Sequence, residues 1–168
     1  MEKTKSNGVE ELARELIRVC SEKGITVACA ESCTGGLIGK LITDIPGSSA
    51  VFAGGYITYN NAVKVGVLGV DPAIIRLHTE VSAACAEAMA YRARTALGTT
   101  LAVSATGFAG PDGGSGTDPV GTVYLGVSTP SGTFVKRVSA SPSLSRKQIR
   151  KRAARRALSL LLGAAESF

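Results

Sequence analysis

The stretch from Ile25 to Ile45 constrains this chain more than any other. Ile25–Ala30 is a short, apolar, largely β-branched run that reads as a buried strand. Glu31-Ser32-Cys33-Thr34-Gly35-Gly36 follows, and then Leu37–Ile45, with apolar residues at 37, 38, 41, 42 and 45, a helical spacing. A strand that passes through small residues straight into a helix is the basic unit of an α/β fold, and Pro46-Gly47-Ser48-Ser49 ends it.

The rest of the chain extends the pattern. Val9–Lys23 has apolar residues at helical spacing and stops at Gly24. Ala50–Tyr59 reads as a second strand, in which Gly54 and Gly55 suggest a bulge or a close backbone approach. Asn60–Val70 is a short helix or an irregular connection. Asp71-Pro72 is a good helix start, and Ser82–Leu97 is a clearer helix with Ser82 as its cap. Thr99–Thr106 is a third strand and Gly107–Pro119 a glycine-rich loop. Val120–Ser128 and Thr133–Val138 form a hairpin around Pro130-Ser131-Gly132, and Ser143–Glu166 is a last helix. Helices alternate with strands first, and an antiparallel hairpin comes later. The expected fold is one three-layer α/β/α domain with a mixed sheet, over residues 9–168, with 1–8 as a flexible segment.

Composition narrows the function classes. With 45% hydrophobic and 19% charged residues in 168, the chain is expected to form one globular domain. No apolar run approaches the roughly 20 residues of a membrane helix, and the polar start has no secretory pattern, so no membrane partner and a cytoplasmic location are expected. The four cysteines (Cys20, Cys29, Cys33, Cys85) form no C-x-x-C pair and His78 is the one histidine, so neither a metal nor a redox cofactor is expected. Seven cations between Arg146 and Arg156, with no acid among them, exceed the whole net charge of +6. The basic character is therefore local to the last helix, either as a solvated face or as a surface that attracts phosphates.

The strand-to-helix turn is the strongest site. It gathers backbone N–H groups at the carboxyl edge of the sheet, where open α/β folds bind ligands and where amides can stabilise an oxyanion. Ser32 is the candidate nucleophile there. The alternative is that Ser32 or Thr34 merely caps the helix. Other catalytic signatures fail: Gly35–Lys40 lacks the first glycine of a phosphate loop, and there is no G-x-S-x-G or S-x-x-K. With His78 beside a helix, a lysine is the remaining base. Tyr59 and Lys64 follow the second strand, which lies beside the first in the simplest topology, and a lysine desolvated in a pocket can lose its proton near neutrality. An ordinary solvated lysine is the other reading.

Ala30–Gly36, Pro46–Ser49, Tyr59-Asn60-Asn61 with Lys64, Val81-Ser82, Thr106–Gly114 and Pro119–Val123 together resemble the CinA C-terminal domain family, over nearly the whole chain. That family includes stand-alone nicotinamide mononucleotide amidohydrolases. The resemblance implies deamidation of this small-molecule nucleotide to nicotinic acid mononucleotide and ammonia, in bacterial pyridine-nucleotide salvage. It implies Ser32 as nucleophile, Lys64 as base and Tyr59 beside them. It also implies substrate contacts from Cys33, Thr34, Gly35, Gly36, Thr106 and Gly107, with Arg146 toward the nucleotide phosphate. A homo-oligomer, dimeric or higher, is expected, and nucleic acid is not. The contrasting possibility is an inactive member that binds a nucleotide or nucleic acid through the basic helix.

Overall fold

A computed structural model describes residues 8–168. The expectation of a flexible N-terminal segment falls on residues 1–7, outside the described residues, and Gly8 already belongs to the first helix. Helices are α1 (Gly8–Lys23), α2 (Leu37–Thr43), α3 (Asn61–Gly66), α4 (Pro72–His78), α5 (Ala83–Leu97) and α6 (Arg146–Glu166). Strands are β1 (Val27–Glu31), β2 (Phe52–Ile57), β3 (Leu101–Gly107), β4 (Thr122–Thr129) and β5 (Gly132–Ser139).

The five strands form one mixed sheet in the order β2-β1-β3-β4-β5. β2, β1 and β3 run parallel, and β4 and β5 add the antiparallel hairpin. The all-buried β1 and the nearly all-buried β3 are the apolar runs of the sequence, as strands covered on both faces require. One apolar core lies under α1, α2 and α6, where Leu16, Ile38, Leu158 and Leu161 meet Val27 and Val103. A second lies under α5, where Cys85, Met89 and Ala93 pack on Ala28, Ala30 and Ala102. The domain is thus the three-layer α/β/α arrangement read from the alternation of elements.

The caps follow the sequence with one exception. Asp71 and Ser82 accept backbone N–H bonds at the starts of α4 and α5. At α2 the cap is Gly36, in the left-handed region at φ 95°, and no side chain caps it. Neither Ser32 nor Thr34 serves that end, so the capping alternative for Ser32 is not what the chain adopts. The bulge and the close approach expected from Gly54-Gly55 both occur. The β1–β2 register shifts between Val27 and Ala28, and a Cβ on Gly55 would sit 2.4 Å from Cys29 Sγ.

β1 pairs with β2 on one side and with β3 on the other, so the chain runs from β1 to β2 on one flank and then crosses back to β3 on the other. A crevice opens at the carboxyl end of a strand where connections diverge in this way. Ser32 is the first residue past that end.

Candidate active site

The carboxyl ends of β1, β2 and β3 bring Ser32, Thr58-Tyr59 and Thr106-Gly107 to one edge of the sheet. Ser32, Tyr59, Thr106 and Gly107 share a cavity of about 380 Å³ with Cys33, Lys64, Glu80, Asp112 and Arg146. The serine is anchored through its backbone. Its N–H donates to the Ala105 carbonyl at 2.9 Å, and its own carbonyl accepts from Gly35 N–H at 3.1 Å.

Lys64 is reached through a short local structure. Asn60 caps α3 by accepting the Val63 N–H, and the helix then turns Lys64 inward, where it is 1% exposed. Its Nζ lies 3.0 Å from Ser32 Oγ and donates to the Thr58 carbonyl at 2.8 Å. Burial pushes the Lys64 pKa below its usual value, against the opposing influence of Cys85, Glu80 and Cys33. In a neutral amine with one N–H committed to Thr58, the lone pair is free to face the serine hydroxyl. That is the geometry of a nucleophile and its base.

Tyr59 sits elsewhere than between these two. It is 60% exposed, and its hydroxyl accepts from Arg146 at 2.7 Å. Arg146 also donates to the Gly110 carbonyl at 2.6 Å, so the pair joins the β2 end, the glycine-rich loop and the start of α6 at the cavity mouth. Thr106 is fully buried and donates to the Glu80 carbonyl at 2.6 Å. Gly107 lines the cavity where a side chain cannot fit, since its Cβ would lie 2.5 Å from the Thr122 carbonyl.

The turn after β1 is held from both sides. On one side the buried Glu31 carboxylate accepts the N–H groups of Gly36 and Ile38 at 3.0 Å and of Gly39 at 2.8 Å. On the other, Arg150 donates to the Cys33 carbonyl at 3.1 Å and to the Thr34 carbonyl at 2.7 Å. The amides of Gly35 and Gly36 are consequently bonded within the turn. Among the described residues, the amides of Cys33 and Thr34 have no intramolecular acceptor, which leaves these two as the turn's free donors. The Cys33 thiol is buried, and its pKa is pushed up to about 12 by that burial, so it stays a neutral thiol beside the serine. Thr34 Oγ1 is buried without a hydrogen-bond partner among the described residues.

Three residues of this site escape a reading of the sequence: Glu31, Glu80 and Arg150. Glu31 left a signal, as a carboxylate closing an otherwise apolar strand. Arg150 left a weaker one, since it lies four residues after Arg146 and therefore on the same helix face. Glu80 left none. His78 is exposed at the end of α4 and lies outside the cavity. Among the described residues, no group of three His, Cys, Asp or Glu side chains is placed to hold a metal ion. No helix among them is long and apolar enough to cross a membrane.

The profile described as the CinA C-terminal domain matches residues 9–165. A CinA-like protein of Myxococcus xanthus is 47% identical over 141 residues, covering 82% of this chain and 34% of that protein. A CinA-like protein of Synechocystis is 55% identical over 111 residues, covering 66% of this chain and 27% of that protein. The chain thus spans about a third or less of the length of the curated relatives it matches. Among solved structures, the competence/damage inducible protein CihA from Agrobacterium tumefaciens superposes with a TM-score of 0.90 at 37% identity, covering 96% of this chain and 98% of that one. A CinA superfamily protein from Klebsiella pneumoniae gives 0.90 at 26% identity, covering 95% and 99%.

Proposed function

We propose that this chain, which belongs to the CinA C-terminal domain family, hydrolyses the carboxamide of nicotinamide mononucleotide to nicotinic acid mononucleotide and ammonia. The observation that carries the reading is the buried contact of Lys64 Nζ with Ser32 Oγ at the floor of an open polar cavity.

In this mechanism neutral Lys64 takes the proton from Ser32 Oγ as the oxygen attacks the carboxamide carbon. The carbonyl oxygen becomes an oxyanion facing the N–H groups of Cys33 and Thr34. As the tetrahedral centre collapses, the C–N bond breaks, and the Lys64 ammonium returns its proton to the departing nitrogen, which leaves as ammonia. Lys64, neutral again, takes a proton from water, and the hydroxide oxygen attacks the ester formed on Ser32. The second collapse breaks the bond to Oγ, which regains its proton from Lys64, and the acid product departs. Arg146 has unused N–H donors at the mouth and suits the nucleotide phosphate. Tyr59 acts by orienting Arg146.

A binding role for α6 is the competing reading, favoured by one observation. Lys147, Lys151, Arg152, Arg155 and Arg156 all lie on its solvent side, while Ile149, Ala153, Ala157, Leu158 and Leu161 pack inward. The decisive measurement is ammonia release from nicotinamide mononucleotide, with nicotinic acid mononucleotide followed by chromatography. Equal yields of the two products support the hydrolase. No release, together with salt-dependent retention of DNA, would replace it with the binding role.

A further inference from the structure

We propose that Glu80 is a specificity-determining residue that reads the positive charge of the substrate's ring, so that the cavity selects a quaternary pyridinium carboxamide over its neutral-ring counterpart. This rests on the reading of the cavity as a nicotinamide mononucleotide site.

The first observation is how firmly Glu80 is mounted. It lies between α4 and α5, directly after Thr79, which has φ 69° and is the one non-glycine residue with positive φ among those described. A β-branched residue in that region is a genuine outlier, and such strain persists only where the surroundings impose it. They do so here. Ser82 Oγ donates to the Thr79 carbonyl at 3.0 Å, and Thr79 Oγ1 donates to the Val81 carbonyl at 3.2 Å. The Glu80 carbonyl itself is held by the buried hydroxyl of Thr106, at the end of β3.

The second observation is that this fixed backbone presents a carboxylate with nothing to bind. The Glu80 side chain lines the cavity, and among the described residues it makes no hydrogen bond or ion pair. Its backbone is tied to Thr106, next in the chain to Ala105, whose carbonyl holds the Ser32 N–H, and this puts Glu80 at the chemical end of the cavity. There it carries a chemical disadvantage, because a negative charge favours the ammonium form of a lysine that must be neutral to work. A negative group kept beside the base, without a protein partner, calls for a positive partner from outside.

The third observation is the polarity of the site. Glu80 is tied to the end of β3, in the cavity that holds Ser32 and Lys64, whereas Arg146 stands at the mouth with Tyr59 and Gly110. A substrate with a cationic ring next to its carboxamide and a phosphate beyond its sugar has the matching order of charges. Free nicotinamide lacks both charges, and the reduced mononucleotide keeps the phosphate but has a neutral dihydropyridine ring. Ring binding would also offset the Glu80 charge and thereby favour the neutral form of Lys64. Asp112, the other acid of the cavity, is exposed on the glycine-rich loop two residues from Gly110, and so belongs to the mouth.

The test measures binding in a Ser32→Ala background, so that the ligand survives, with oxidised and reduced nicotinamide mononucleotide titrated by calorimetry. The parent variant should prefer the oxidised form. Adding Glu80→Gln should weaken the oxidised form by about three- to tenfold and leave the reduced form within about twofold. Adding Asp112→Asn should leave the preference unchanged. Equal weakening of both forms by Glu80→Gln, no weakening of either, or transfer of the effect to Asp112→Asn overturns the role of Glu80. If the Ser32→Ala protein binds neither nucleotide, the nicotinamide reading itself fails, and this inference with it.

Discussion

Arg150 on α6 reaches the carbonyl of Thr34, 116 residues earlier in the chain, at 2.7 Å, and takes the Cys33 carbonyl with the same guanidinium. A peptide whose carbonyl is held on one side presents the N–H at its other end on the opposite side. The Cys33 carbonyl shares its peptide with the free Thr34 N–H, so the arginine aims that donor, while the Thr34 carbonyl shares its peptide with the Gly35 N–H already bonded to Ser32.

Arg150→Lys keeps the charge but loses the fork that spans two carbonyls. It is expected to lower kcat on the order of ten- to a hundredfold, with KM little changed, since the loss falls on a donor proposed to act in the transition state. Steady-state kinetics check this, and an unchanged kcat would remove Arg150 from a positioning role.

Ser32→Ala removes the oxygen proposed to attack, and little volume, from a buried position. Ammonia release is expected to fall by several orders of magnitude while the circular dichroism spectrum and melting curve stay near those of the parent. Turnover close to the parent rate would mean that another group attacks.

Lys64→Arg keeps a cation that does not give up its proton near neutral pH. It is expected to be almost as inactive as Lys64→Ala. In the parent, kcat/KM should rise with pH through a pKa below the ordinary 10.5, because only the neutral amine accepts the serine proton. A flat profile, or an active Lys64→Arg, would reduce Lys64 to a positive charge.

The same lowered pKa links folding to pH. Between the folded and unfolded pKa values the unfolded chain binds more protons, so Lys64 makes stability rise with pH across that window. Its penalty is full below the folded value and has vanished above about 10.5. Lys64→Met lacks this group, so its stability relative to the parent should decline as pH rises through the window. Urea unfolding at several pH values measures the difference, and a pH-independent gap would contradict the burial effect.

Gly55→Ala tests the pairing of β1 and β2. The added Cβ would meet Cys29 Sγ at 2.4 Å and the Cys29 carbonyl at 2.7 Å, and backbone cannot yield cheaply. A loss of about 1–3 kcal/mol in chemical denaturation is expected, as for other overpacked sites. Parent-like stability would show that β2 can retreat from β1 at little cost.

Much of this architecture was legible because it is written locally. Apolar runs marked β1 and β3, turn residues marked the hairpin, and Asp71 and Ser82 announced their helices. The approach of Lys64 to Ser32 was legible for a topological reason, since consecutive strands of such folds tend to be neighbours. The remainder depends on contacts whose partners are remote or are backbone atoms. Nothing near Arg150 says that its face of α6 meets the turn after β1, and no spacing rule ties Glu80 to the hydroxyl of Thr106. The fate of the α2 amides was hidden for a related reason: their acceptor is a strand residue, Glu31, rather than a cap of the usual kind. Tyr59 lies at the cavity as the sequence suggested, but toward Arg146.

The irregular step between Val27 and Ala28 sets how far β2 has advanced when it ends, and hence where α3 begins. One residue of strand is about 3.3 Å long, more than the 3.0 Å that separates Lys64 Nζ from Ser32 Oγ. A slip of β2 by a single place would therefore pull the lysine out of reach while leaving both strands paired. The bulge serves as a ruler, and the meeting of Lys64 with Ser32 is calibrated at the opposite end of the strands.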